Sequence, residues 1–231
     1  MIMNKIIIDS KDIVINENAV YYLKVNNNYD YHVKVLSNVN SKLVIISENS
    51  NYHIEYNLSE NSNLVVNSVN YNSNTNILIN LLKDASILYN HSVVSKVDSV
   101  NKIVLNHLSS NANSIINNNG INLSENKLFF EINGVVDKNL LDVNCEQNGK
   151  IINYGNGNSK IIPNLLIESN DIHASHSAYI GNFDEDMKFY ALSRGINNDM
   201  LIRMLYKAIL LGTMDLTVEK EEFNKIINEW W

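Results

Sequence analysis

The side chains of this 231-residue chain best suited to hold a transition metal are one cysteine, Cys145, and six histidines at positions 32, 53, 91, 107, 173 and 176. A single thiol cannot close an internal disulfide, nor build an all-protein cluster or zinc site that needs several thiolates. His32, His53, His91 and His107 are isolated, with no His-x-x-x-His spacing and no cysteine neighbour. Glu55, Glu131 and Asp142 show no pairing that would serve acid and base chemistry. There is no Gly-x-x-x-x-Gly-Lys phosphate loop and no arguable nucleophile, base and orienter set. The chain therefore reads as a non-enzyme, and any ATP hydrolysis would belong to a partner.

Two of these residues lie in segments with strand alternation. Leu141, Val143 and Cys145 fall at alternate positions, which makes a buried, inert thiol the default reading of Cys145. Ile172, Ala174, His176, Ala178 and Ile180 share one face of the next such run, with His173, Ser175, Ser177 and Tyr179 on the other. His176 thus reads either as a satisfied core histidine or as a ligand.

The elements that position them are unusual in composition. Asn accounts for 43 residues, clustered at Asn26-Asn27-Asn28, Asn72-Ser73-Asn74, Asn117-Asn118-Asn119-Gly120 and Asn156-Gly157-Asn158. Asn tolerates left-handed backbone and bonds to nearby backbone groups, so these clusters read as turns. Between them lie short β-branched runs such as Tyr52–Tyr56, Ile77–Ile79, Ile103–Leu105, Leu128–Ile132 and Ile161–Ile167. Residues 1–182 are therefore expected to be all-β. A sandwich, a barrel and a solenoid all fit the pattern; one proline and 8 glycines are few for hairpins, which favours a β-solenoid with Asn ladders at its corners. No clean repeat is visible.

Near residue 183 the composition changes: both Arg, both Trp and four of the six Met lie beyond it. Residues 183–231 read as an α-helical appendage. Acidic residues 184–186 open a first helix that Gly195 ends; a second, capped by Asn197 or Asn198, runs to Gly212; a third spans Thr217–Trp231. In the second helix Leu201, Met204, Leu205, Ala208 and Leu211 form an apolar stripe.

Pro163 to Gly195 is the most specific stretch. Pro163, Leu165, Ile167, Asp171-Ile172, Ser175-His176-Ser177-Ala178, the acidic tripeptide 184–186, Phe189-Tyr190 and Ser193-Arg194-Gly195-Ile196 follow one another with characteristic spacing. The segment resembles the C-terminal signature of the SufB/SufD family of iron–sulfur cluster assembly proteins, closely over this stretch and loosely to the C-terminus. The resemblance implies a right-handed parallel β-helix followed by a helical C-terminal domain, without the N-terminal helical segment common in the family. It also implies a SufD-like, short-form platform subunit that pairs with a SufB-like chain or with itself and docks a SufC-like ABC ATPase. Phe189, Tyr190, Arg194, Gly195, Leu201, Met204 and Leu205 become the expected docking residues. The alternative for the tail is a cap that seals the open end of the solenoid.

By the same resemblance His176 occupies the place of a histidine that holds the nascent cluster, and it is the candidate metal ligand. The scaffold cysteine of SufB-type members, counted back from Pro163, falls on Asn148, which cannot replace a thiolate. Ser177 stands where those members carry a glutamate, and Ala174 where many SufD-type members carry a cysteine. A self-sufficient scaffold site is thus largely missing; Cys145, three residues away, would become a ligand only if a coil slipped. The expectation is no stably bound cofactor in the isolated chain, with an iron–sulfur cluster held transiently in a complex.

A net charge of -7 gives no footprint for a nucleic-acid partner. The opening apolar stretch is too short for a signal peptide and no run approaches a membrane span, so the expected location is the cytoplasm. The rival function is a stand-alone β-solenoid that acts on polysaccharide or serves as a surface module.

Overall fold

A computed structural model describes residues 4–154, 156–183 and 185–214 together with Phe223. The chain winds through fifteen strands in order: β1 (Lys5–Ile8), β2 (Asp12–Ile15), β3 (Val20–Val25), β4 (Asp30–Val35), β5 (Asn40–Glu48), β6 (Asn51–Leu58), β7 (Asn63–Tyr71), β8 (Asn74–Leu81), β9 (Ser86–Ser95), β10 (Ser99–His107), β11 (Asn113–Asn122), β12 (Lys127–Val136), β13 (Leu141–Asn153), β14 (Asn158–Ile167) and β15 (Asp171–Asn182). Odd strands form one parallel sheet of eight and even strands a second of seven, each in monotonic order. Every coil thus adds one strand to each sheet, and the expected β-solenoid is the fold.

Alternation builds the core. In β4, β6 and β8 every second residue is buried, and Tyr31, Val33, Val35, Ile54, Tyr56, Leu58, Ile77, Ile79 and Leu81 stack in register between the sheets. Parallel in-register stacking places like residues on like, so the aliphatic columns run along the solenoid axis.

The asparagines do two separate jobs. Asn38, Asn61, Asn111 and Asn139, with Asp84, hold left-handed backbone at one corner of successive coils, and Asn49 and Asn72 do so at another. Asn and Asp accept this conformation at lower cost than other side chains with a Cβ. Others form ladders along the strands: Asn90 donates to Asn67 (2.9 Å), Asn117 to Asn90 (2.9 Å) and Asn148 to Asn117 (3.2 Å). The steps of that ladder are 23, 27 and 31 residues, so coils lengthen toward the C-terminus while the register is kept. This lengthening is why no clean repeat shows in the sequence. One expectation is corrected: Asn117-Asn118-Asn119-Gly120 is not a turn but the middle of β11, because ladder bonds satisfy Asn117 there.

The tail contains α1 (Glu185–Ser193) and α2 (Asn198–Leu211). Gly195 has φ +81°, the left-handed geometry of a helix terminator. Asn197 caps α2, its side chain accepting from the Met200 amide at 2.8 Å. The tail lies against the outer face of the eight-stranded sheet: Leu210, Met214 and Phe223 join Val20, Tyr22, Val44, Val69, Val94 and Ile121 in one apolar cluster. Ser92 donates to the Leu210 carbonyl (2.7 Å) and Asn119 to Thr213 (3.2 Å), fastening the helix end to β9 and β11. The apolar stripe expected on α2 divides accordingly. Leu201 and Leu210 are buried, whereas Met200, Met204 and Ala208, one turn apart, face outward. The expected third helix lies outside the described residues, as does the side chain of Leu205.

Candidate functional site at the open end of the solenoid

Strands β13, β14 and β15 build the end of the solenoid. β15 is the last strand of its sheet and β14 the last of the other. Pairing of β13 with β15 is parallel, with a register shift between Leu141 and Val143, after which Cys145 stands beside Ala174, Gln147 beside His176, Asn148 beside Ser177 and Gly149 beside Ala178. In β13 the residues Val143, Cys145, Gln147, Gly149 and Ile151 are buried, and those between them are not. Their partners Ile172, Ala174, His176, Ala178 and Ile180 therefore share the interior-facing side, as alternation predicts.

His176 nevertheless is exposed: β15 is the last strand of its sheet, and among the described residues the opposite sheet has no strand beyond β14. A core histidine would be enclosed and hydrogen-bonded, and among the described residues His176 is neither. Cys145, one strand back and two residues along, is wholly buried. Burial pushes its thiol above the ordinary cysteine range, with Ser114 and Gln147 hydrogen bonds pulling weakly the other way. A protonated, enclosed thiol is a poor ligand and a poor nucleophile.

Asn148 falls on the opposite, outer side. It donates to Asn117 (3.2 Å) and to Glu146 Oε1 (2.7 Å) and accepts from the Ser177 hydroxyl (2.8 Å). The position counted from the signature is thus a filled rung of the Asn ladder, not part of His176's face.

Several residues not singled out from sequence complete the interior. His107 Nδ1–H donates to the Val135 carbonyl (3.2 Å), which leaves Nε2 to accept from Ser114 (2.9 Å), the hydroxyl beside Cys145. Gln147 donates through Nε2 to the Asn164 carbonyl (3.2 Å), and its Oε1 is buried without a partner. A Cβ at Gly134 would stand 2.6 Å from Gln147 Nε2 and 2.8 Å from Cys145 Sγ, so glycine is what lets both side chains lie there. Deeper in, His91 accepts from Asn70 Nδ2 (3.3 Å) at Nδ1 and donates from Nε2 to Asn101 (3.3 Å). Burial lowers its pKa to about 4, so it is neutral. Alternation continued from Val143 and Cys145 already separates Gln147 from the outward-facing Asn148, but the residues of neighbouring coils that meet them could be found only once the coil lengths were known.

On the tail, Phe189 is 76% exposed and Tyr190 60% exposed, and the Arg194 guanidinium lies 5.1 Å from the Tyr190 ring centre. Met204 is exposed and Leu201 is buried. On the other flank, the outer face of the seven-stranded sheet carries a groove with Lys11, Asp12, Asp30, His32 and His53 as well as Tyr29 along its walls. Of the carboxylates weighed from sequence, Glu131 lies by Lys102 (3.3 Å) and Glu55 by His32 (3.6 Å), and both also accept from neighbouring asparagines. Among the described residues no three metal-ligating side chains converge on one point, and no helix is long and apolar enough to cross a membrane.

The fold and this end define a parallel β-solenoid with an open terminal coil and a helical tail laid back on one sheet. The chain belongs to the family described as SUF system FeS cluster assembly, SufBD core domain, whose profile matches residues 8–209, that is, nearly all of the solenoid and most of α2. A role in iron–sulfur cluster assembly follows from that membership. No individual curated protein matches the chain.

Proposed function

We propose that this protein is a non-catalytic, SufD-like platform subunit of a SUF complex, that it works in the cytoplasm, and that it receives the cluster as cargo rather than holding it as a resident cofactor. Two surfaces support this reading. β15 is a twelve-residue strand at the sheet edge, and an unpaired edge is a template for strand addition. The other terminal strand, β14, carries Pro163, which lacks an amide hydrogen and blunts pairing. A SufB-like chain, or a second copy, therefore adds at β15 and in doing so covers His176. That placement is the single observation that carries the proposal: an exposed imidazole on the interior-facing side of a terminal edge strand.

The second surface is formed by Phe189, Tyr190 and Arg194 on and just after α1, with Met204 on α2. A SufC-like ATPase docks there, with Gly195 setting the angle between the helices and Leu201 anchoring α2 from beneath. Co-expression with SufB-like and SufC-like chains from the same genome, followed by native mass measurement, tests the proposal. A ternary complex is the expected result; a chain that captures neither partner overturns it.

A further inference from the structure

We infer that Gln147 is the positioning residue of His176: its Oε1 accepts the imidazole Nδ1–H and thereby turns Nε2 outward as the ligand atom. The inference deepens the proposed cluster role of His176 and rests on that reading for its functional meaning.

Three observations carry it. Gln147 is fully buried, yet Oε1 has no partner. A buried acceptor left unmade is costly, so such an atom calls for an explanation. The orientation of the amide is not free: the Asn164 carbonyl can only accept, so the NH2 group must face it and Oε1 occupies the other end. Finally, His176 stands beside Gln147 in the parallel register, on the same face, and among the described residues the imidazole has no hydrogen bond. Neighbouring strands are about 4.8 Å apart, so one side-chain rotation brings Nδ1–H to Oε1.

The chemical consequence is selection of a tautomer. An imidazole that ligates a metal almost always donates its other ring N–H to a fixed acceptor, which orients the ring and raises the basicity of the ligating nitrogen. Gln147 is held by Asn164 on one side and by the space over Gly134 on the other, and is therefore a rigid acceptor. His107 already shows this arrangement within the chain, with Nδ1–H on a carbonyl and Nε2 presented to Ser114.

Nitrogen-15 imidazole spectra of the full chain test this without cluster or partner. Neutral His176, assigned by its loss in His176→Gln, should be mainly the Nδ1–H tautomer. In Gln147→Leu it should revert to Nε2–H, the form preferred in water. Gln147→Glu keeps an acceptor at the same place and should keep His176 in the Nδ1–H tautomer. His32 should not move in either variant. A wild-type His176 in the Nε2–H form overturns the inference by itself, whether or not the variants fold. So does a His176 signal that is the same in wild type and both variants. If the tautomer result holds but His176→Ala does not reduce cluster formation by the assembled complex, the contact stands and only the ligand reading falls.

Discussion

The Ser177 hydroxyl donates to Asn148 Oδ1 at 2.8 Å, extending the asparagine ladder onto the last strand, while His176, one residue earlier, faces the other way. The rung that would carry a scaffold cysteine is thus tied into the outer surface, and the only thiol is enclosed. Anaerobic reconstitution of the isolated chain should leave no stoichiometric iron and sulfide. Reproducible cluster absorbance with matching metal analysis would move the assignment to Cys145.

His176→Ala removes an exposed imidazole whose one inferred contact in the isolated chain is the Gln147 acceptor. The thermal midpoint should fall by no more than a few degrees, the loss of one hydrogen bond worth ~1 kcal/mol. Cluster formation by the assembled complex should fall severalfold. A large drop in melting temperature with normal cluster yield per folded complex would show a structural residue instead.

Phe189→Glu and Met204→Glu each place charge on an exposed apolar position without touching the solenoid. Capture of a SufC-like ATPase should weaken tenfold or more, as for substitutions at interface anchors, with unchanged melting. These variants are cleaner than removal of the tail, which would bare the patch of Val69, Val94 and Ile121 that Leu210 and Met214 cover. Undiminished capture by both would refute the docking surface.

His91 and His107 are buried and neutral, their pKa values lowered chiefly by desolvation, His91 to about 4. Below the unfolded value near 6.5 the unfolded chain binds more protons than the folded one, so stability must fall as pH falls. The loss is complete only below the folded value. For His91 alone it amounts to roughly 2 kcal/mol at pH 5. Denaturant melts at pH 7.5 and pH 5 measure it, and His91→Asn should flatten the dependence.

Asn90 is fully buried, donates to Asn67 and accepts from Asn117. Asn90→Ala leaves both neighbours short of a partner and should cost about 1–3 kcal/mol, read as a shift in the denaturation midpoint. A neutral outcome would mean that water replaces the ladder.

The sequence by itself determined the class of fold, the change near residue 183, the caps of α2 and the family signature. Each depends on near neighbours: strand alternation at Tyr52–Leu58, an Asn197 side chain reaching Met200, a glycine at φ +81°. What only the tertiary structure decided is which residues meet across coils. Asn148 and Gln147 are adjacent and chemically alike, yet one is a ladder rung outside and the other a buried acceptor beside His176. Alternation separates their faces, but the neighbours each one meets are set by register, and register depends on coil lengths that grow from 23 to 31 residues. His176 likewise lies on an interior-facing side by alternation but in solvent by position. Whether a further coil covers it is not a local property: burial requires an opposing strand, and among the described residues the opposite sheet stops at β14.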